Sequence, residues 1–144
     1  MTLYFNANDG THGAELWRLR PDGTAVLAAD IRPGGGDSFP FGFTPFNSEL
    51  YFQADDGTNG SELWKVKADG TTVLVKDINP GACHSIPNFF TPFNGELYFR
   101  ANDGTNGREL WKVKADGTAV LVKNINPGAG NSGPPDFTPF NGEL

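Results

Sequence analysis

Glu96–Gly128 reads ELYFRANDGTNGRELWKVKADGTAVLVKNINPG, and Glu49–Gly81 reads ELYFQADDGTNGSELWKVKADGTTVLVKDINPG. A segment stated twice at a fixed distance marks a repeat architecture, so the period has to be read before any single residue. The tryptophans measure it. Trp17, Trp64 and Trp111 are 47 residues apart, as are the LYF triplets that begin at Leu3, Leu50 and Leu97. The repeat units are 1–47, 48–94 and 95–144, the last running on into the start of a further unit.

Within a unit the pattern is that of strands. ELYFRAN alternates and is rich in aromatics, ELWKVK follows after a break, and TAVLVKNI is rich in β-branched residues. The breaks NDGTNG and ADG supply Asn, Asp and Gly, which accept positive φ or close turns with their side chains. FTPFNG makes a fourth short strand, placed at a sheet edge because Pro45, Pro92 and Pro139 cannot donate to a ladder. Nothing has helical periodicity. The expectation is an all-β chain of β-propeller blades, each of four antiparallel strands, with an extended array of tandem modules as the alternative.

The two ends of the sequence align with each other. Leu3, Tyr4 and Phe5 begin a first strand with no FTPFNG before it, while Phe140 and Leu144 sit where the next unit would begin. They are expected to complete one blade by strand exchange. Three blades are too few for a ring, since propellers have at least four. The expected partner is therefore the chain itself, as a homotrimer with nine blades ahead of a homodimer with six. Phe5, Phe52 and Phe99, with the three tryptophans, are the expected packing residues between units.

A hydrophobic share of 38% suits packed cores, and 19 Gly with 11 Pro suit many turns. The formal charge of −6 and the lack of a basic run argue against nucleic acid or an anionic membrane as a partner. No apolar run approaches the length of a spanning helix, and residues 1–20 lack the plan of a signal peptide, so localisation is not readable. The single Cys83 has Gly36 and Gly130 as counterparts and reads as a loop residue.

ELYFxAxDGTxGxELWK followed by VLVKDINPG resembles the ELW/DGT, hyalin-like tandem repeats of bacterial surface or secreted proteins, and the likeness extends over every unit. The chain is also similar to symmetric propellers engineered by trimming such arrays. The resemblance implies architecture, and for natural relatives an extracellular setting, more than an activity.

Few residues are arranged for chemistry. His12 and His84 occupy different repeat positions without a nucleophile and orienting acid, so no triad is indicated and no catalysis is expected. No cofactor is expected, and CxxC or HExxH metal spacing is absent. Oxygen-rich loops could hold Ca²⁺ through Asp9, Asp56 and Asp103 with Glu15, Glu62 and Glu109, but turn chemistry alone accounts for the Asp-Gly and Asn-Gly pairs. Ser38, Ser85 and Ser132 read as turn serines that bond local backbone. The expected function is a non-catalytic, self-assembling propeller scaffold, engineered or cut from a larger repeat protein. The alternative is a multivalent carbohydrate- or small-ligand-binding propeller in which repeated aromatics stack on sugar.

Overall fold

The computed structural model describes residues 1–141 as eleven strands. They are β1 (Leu3–Asn8), β2 (Ala14–Leu19), β3 (Ala25–Ala29), β4 (Phe41–Phe46), β5 (Glu49–Asp55), β6 (Ser61–Val66), β7 (Thr72–Lys76), β8 (Asn88–Phe93), β9 (Glu96–Asn102), β10 (Arg108–Val113) and β11 (Ala119–Lys123). Three antiparallel sheets result, ordered β1-β2-β3, β4-β5-β6-β7 and β8-β9-β10-β11, and no helix forms among the described residues. The class is all-β. Each four-stranded sheet takes its first strand from the end of one repeat unit and its other three from the next, so sheets and sequence units are offset.

Turn chemistry sets these registers. Asn47-Ser48 joins β4 to β5 and Asn94-Gly95 joins β8 to β9, with all four residues at positive φ, as a two-residue type I′ hairpin turn requires. Thr24, Thr71 and Thr118 each donate through N and Oγ1 to Asp22, Asp69 and Asp116, closing the hairpins β2-β3, β6-β7 and β10-β11. The pairs Phe5↔Trp17, Phe52↔Trp64 and Phe99↔Trp111 then fall opposite each other, and each sheet slips by a bulge just before its tryptophan.

Strand alternation gives every sheet two apolar faces, and they pack in one sense. Leu50, Phe52, Ala54, Trp64 and Val66 of the middle sheet lie against Tyr4, Leu16, Ala28 and Ile31 of the first. Their counterparts Leu97, Phe99, Ala101, Trp111 and Val113 of the third lie against Tyr51, Leu63, Val75 and Ile78 of the middle. β4 and β8 run beside each other across the joint, where Gly42, at φ +76°, leaves room for the Phe90 ring. One face of the first sheet and the opposite-type face of the third are left uncovered. Leu3 is 61% exposed where Leu97 is fully buried, and Ile125 is 52% exposed where Ile78 is 3%.

One expected strand is absent. Residues 135–140 match β4 and β8 in sequence, yet only Phe140 is a bridge residue, 73% exposed, among them. The physical reason is that β4 and β8 form by pairing with the hairpin strand that follows each of them. Leu144 lies outside the described residues.

Candidate functional sites at the joints between sheets

Three glutamates define the joints. Glu15, Glu62 and Glu109 follow the first residue of β2, β6 and β10, and none has any solvent-accessible surface. Glu62 accepts from Ile78 N at 2.7 Å and Ser85 Oγ at 2.6 Å on Oε2, and from Ser85 N at 3.0 Å on Oε1. Glu109 takes the corresponding Ile125 N, Ser132 Oγ and Ser132 N at 2.9, 2.6 and 3.1 Å. Glu15 takes Ile31 N, Ser38 Oγ and Arg32 N. A buried carboxylate is tolerable only when its lone pairs are met this way.

These serines do more than close local turns. Each Oγ donates to the glutamate and lies in reach of a carbonyl 24 residues back, at Ala14, Ser61 or Arg108. The carbonyls of Ser38 and Ser85 in turn accept from Asp55 N and Asn102 N, the last residues of β5 and β9. One glutamate thus fixes the loop leaving its own sheet, and that loop's serine carbonyl holds the next sheet. Reading the serines as purely local is corrected by these long-range bonds.

The three carboxylates differ in how firmly they are pressed by protein. Burial pushes Glu62 up to about 7 despite its donors, and pushes Glu15 up as well. At Glu109 burial acts in the same direction, but the donors from Ser132, Ile125 and Asn126 outweigh it and hold the group below its usual value. All three are dry, but Glu15 and Glu62 lie at joints closed by a following sheet, and the joint at Glu109 is open.

The loop aspartates turn away from these glutamates. Asp9 accepts from Thr11 N, His12 N and the His12 ring, and the His12 backbone and ring bonds lead in pulling it down to about 2. Asn59 and Asn106 take the place of His12 beside Asp56 and Asp103. The aspartates and glutamates considered for Ca²⁺ therefore belong to separate hydrogen-bond systems. Among the described residues no three His, Cys, Asp or Glu side chains converge as a metal site. His84 Nδ1 accepts from Ser61 N, the place that Asp37 and Asn131 fill for Ala14 N and Arg108 N. Gly60 allows this loop to pass, because a Cβ there, at φ +75°, would run into the Cys83 carbonyl.

The repeated aromatic residues differ in their surroundings from sheet to sheet. Phe52 and Phe99 are fully buried, Trp111 is 6% exposed, and Trp64 packs against the first core, whereas Phe5 and Trp17 occupy the matching places on the uncovered face. The indoles of Trp64 and Trp111 are thus taken up by packing between sheets.

A second repeated constellation escaped the sequence reading. At the start of β5, Glu49 Oε2 accepts from Lys65 Nζ at 2.8 Å and from Tyr51 Oη at 3.0 Å. Glu96, Lys112 and Tyr98 repeat it at 2.9 and 3.0 Å. The signal was present in the cross-strand pairs Tyr51↔Lys65 and Tyr98↔Lys112, each with a Glu two residues before the Tyr. The first such cluster borders a groove of about 260 Å³ closed on its far side by the Lys114–Gly117 turn. The equivalent groove between the first and middle sheets is about 580 Å³. No protein-family model matches the chain, and a search of curated proteins finds no match to it.

Proposed function

We propose that the chain is a non-catalytic scaffold whose sheets are blades of a β-propeller, closed into a ring by further copies of itself. One observation carries this reading: the same sheet-on-sheet joint is built twice within the chain, and its two halves are left open at opposite ends. The open half on the third sheet presents Tyr98, Leu110, Val122 and Ile125, the counterparts of Tyr51, Leu63, Val75 and Ile78 in the closed joint. The open half on the first presents Leu3, Phe5, Trp17 and Leu19, the counterparts of Leu97, Phe99, Trp111 and Val113. Such faces are complementary to each other and not to themselves, so association is head to tail, and it closes into a ring when the rotation between copies divides a full turn.

Three further features fit. β1 is a sheet edge, and residues 135–140 of a second copy would supply its missing strand, pairing Phe140 with Thr2 as Phe46 pairs with Glu49. The carbonyl of Ser132 would accept from Asn8 N of that copy, repeating the bonds of Ser38 and Ser85. The bulky segments of β4 and β8 lie where strands of neighbouring sheets run beside each other, which keeps blades near parallel and favours nine over six.

Native mass spectrometry tests this. A mass three times the 15.5 kDa of one chain is expected, whereas a mass of two chains would mean the six-bladed ring. Ile125→Asp, which puts a charge on the open face, should shift the assembly to single chains without unfolding them. A wild-type chain that stays single at micromolar concentration overturns the reading.

A further inference from the structure

We propose that the groove between the first and middle sheets binds a carboxylate carried on a short apolar stem, held by Arg18 and Tyr4. The chain supplies its own comparison. Tyr51 and Lys65, directly opposite across β5 and β6, converge on the Glu49 carboxylate, and Tyr98 and Lys112 converge on Glu96. Tyr4 and Arg18 stand in the same register across β1 and β2, but the residue at the glutamate position is Thr2. The two donors of a carboxylate site are kept and the carboxylate is gone.

The consequences are visible in the structure. Arg18 Nε is buried without a hydrogen-bond partner, and neither the guanidinium nor the Tyr4 hydroxyl has an ion pair or hydrogen bond among the described residues. Both line the 580 Å³ groove, a volume in the range of small-molecule sites, whereas the groove beside the intact Glu49–Lys65 pair has less than half of it. Phe43, Leu50 and Val66 make an apolar wall. Lys67 and Asp69 line the opposite side and offset each other in charge, and Glu49, which also borders the groove, is neutralised by Lys65. Arg18 is left as the uncompensated charge. A guanidinium accepts a carboxylate through two parallel N–H bonds, a stronger and more selective contact than the ammonium of Lys65 makes with Glu49.

The site is formed by one chain and so does not depend on the ring. The test is a ¹H–¹⁵N titration of the full chain with phenylacetate, its assembly mass recorded alongside. Saturable shifts at the Arg18 Nε–H and around Tyr4 are expected, and phenylacetamide, of equal shape without the charge, should bind at least tenfold more weakly. Thr2→Glu restores the internal carboxylate at an exposed position and should abolish the shifts, while Arg18→Leu should weaken binding at least tenfold. Equal binding of the amide, or unchanged binding in Thr2→Glu, overturns the proposal. The chain carries a carboxylate of its own at the matching spacing, Glu143, which lies outside the described residues. Repeating the titration with Glu143→Gln separates the two sources. Binding in both proteins assigns the site to a free ligand, binding only in the variant assigns it to a glutamate of a second copy, and binding in neither overturns it.

Discussion

Ile78 and Ile125 occupy the same place in their repeats, each donate a backbone N–H to a buried glutamate, and differ more than tenfold in exposure. The middle sheet has a neighbour on each face and the third has one. Burial is here a property of what stands next to a repeat, not of the repeat itself, as expected for architectures whose stability is a sum of unit and interface contributions. The glutamates report the same difference electrostatically, since Glu62 is pushed up to about 7 and Glu109 is held below its usual value.

The largest test of this comparison is steric. Phe99→Ala removes a fully buried ring from the joint between the middle and third sheets and should cost about 3 to 5 kcal/mol. Phe5→Ala makes the same change on the uncovered face and should cost about 1 kcal/mol or less in a single chain, rising towards the Phe99 value once the ring forms. Urea unfolding across a range of protein concentration measures both. Equal losses in dissociated chains would mean that the first sheet is covered by something other than a second copy.

A smaller effect comes from Glu62. Its folded value is raised from 4.5 to about 7, so the folded chain binds the proton more tightly than the unfolded chain. The contribution is fully present below about pH 4.5 and is lost as pH rises through 7, by at most about 3 kcal/mol. Glu109 is shifted the other way, so its contribution is present above its ordinary value and lost as pH falls. Denaturant midpoints at pH 5 and pH 7.5 should therefore fall with rising pH in the wild type. Glu62→Gln should reduce that fall, at a constant cost for the acceptor it loses, and leave the part that comes from the raised Glu15 and His12, whereas Glu109→Gln should not reduce it. A slope unchanged by Glu62→Gln would place the titration elsewhere. In a closed ring Glu109 is covered as Glu62 is, and its value should move up.

How far the sequence could be read follows from the distances involved. Strands and turns depend on residues within a few positions of each other, so the LYF and ELW runs, the Asn-Gly turns and the edge strands containing Pro45 and Pro92 are legible. The glutamate joint is not local. Glu62 and Ser85 are 23 positions apart, and taken singly one looks like a Ca²⁺ ligand and the other like a turn serine. The available signal was their joint recurrence, since Glu15, Glu62 and Glu109 are matched in every unit by Ser38, Ser85 and Ser132. The missing strand at 135–140 has the opposite lesson. Its residues are right, but a strand is a pairing, and pairing depends on a partner the run itself does not contain.

The smallest difference between sheets lies in their hairpin turns, and it isolates the backbone from everything else. Ser48 and Gly95 occupy the same position of the same turn at φ +61° and +75°. A serine in that region has its Cβ crowded by the backbone, which costs about 1 to 2 kcal/mol, while glycine escapes the crowding but loses more freedom on folding. The net expectation for Ser48→Gly is a gain of about 0.5 to 1 kcal/mol, and for Gly95→Ser a loss of similar size. Thermal melts should show shifts of about 2 °C in opposite directions. Because neither substitution touches an apolar face, both shifts should be the same in single chains and in the ring. A shift that depended on protein concentration would mean that this turn takes part in the contact between copies, and would extend the joint beyond the sheet faces to the hairpins that border the grooves.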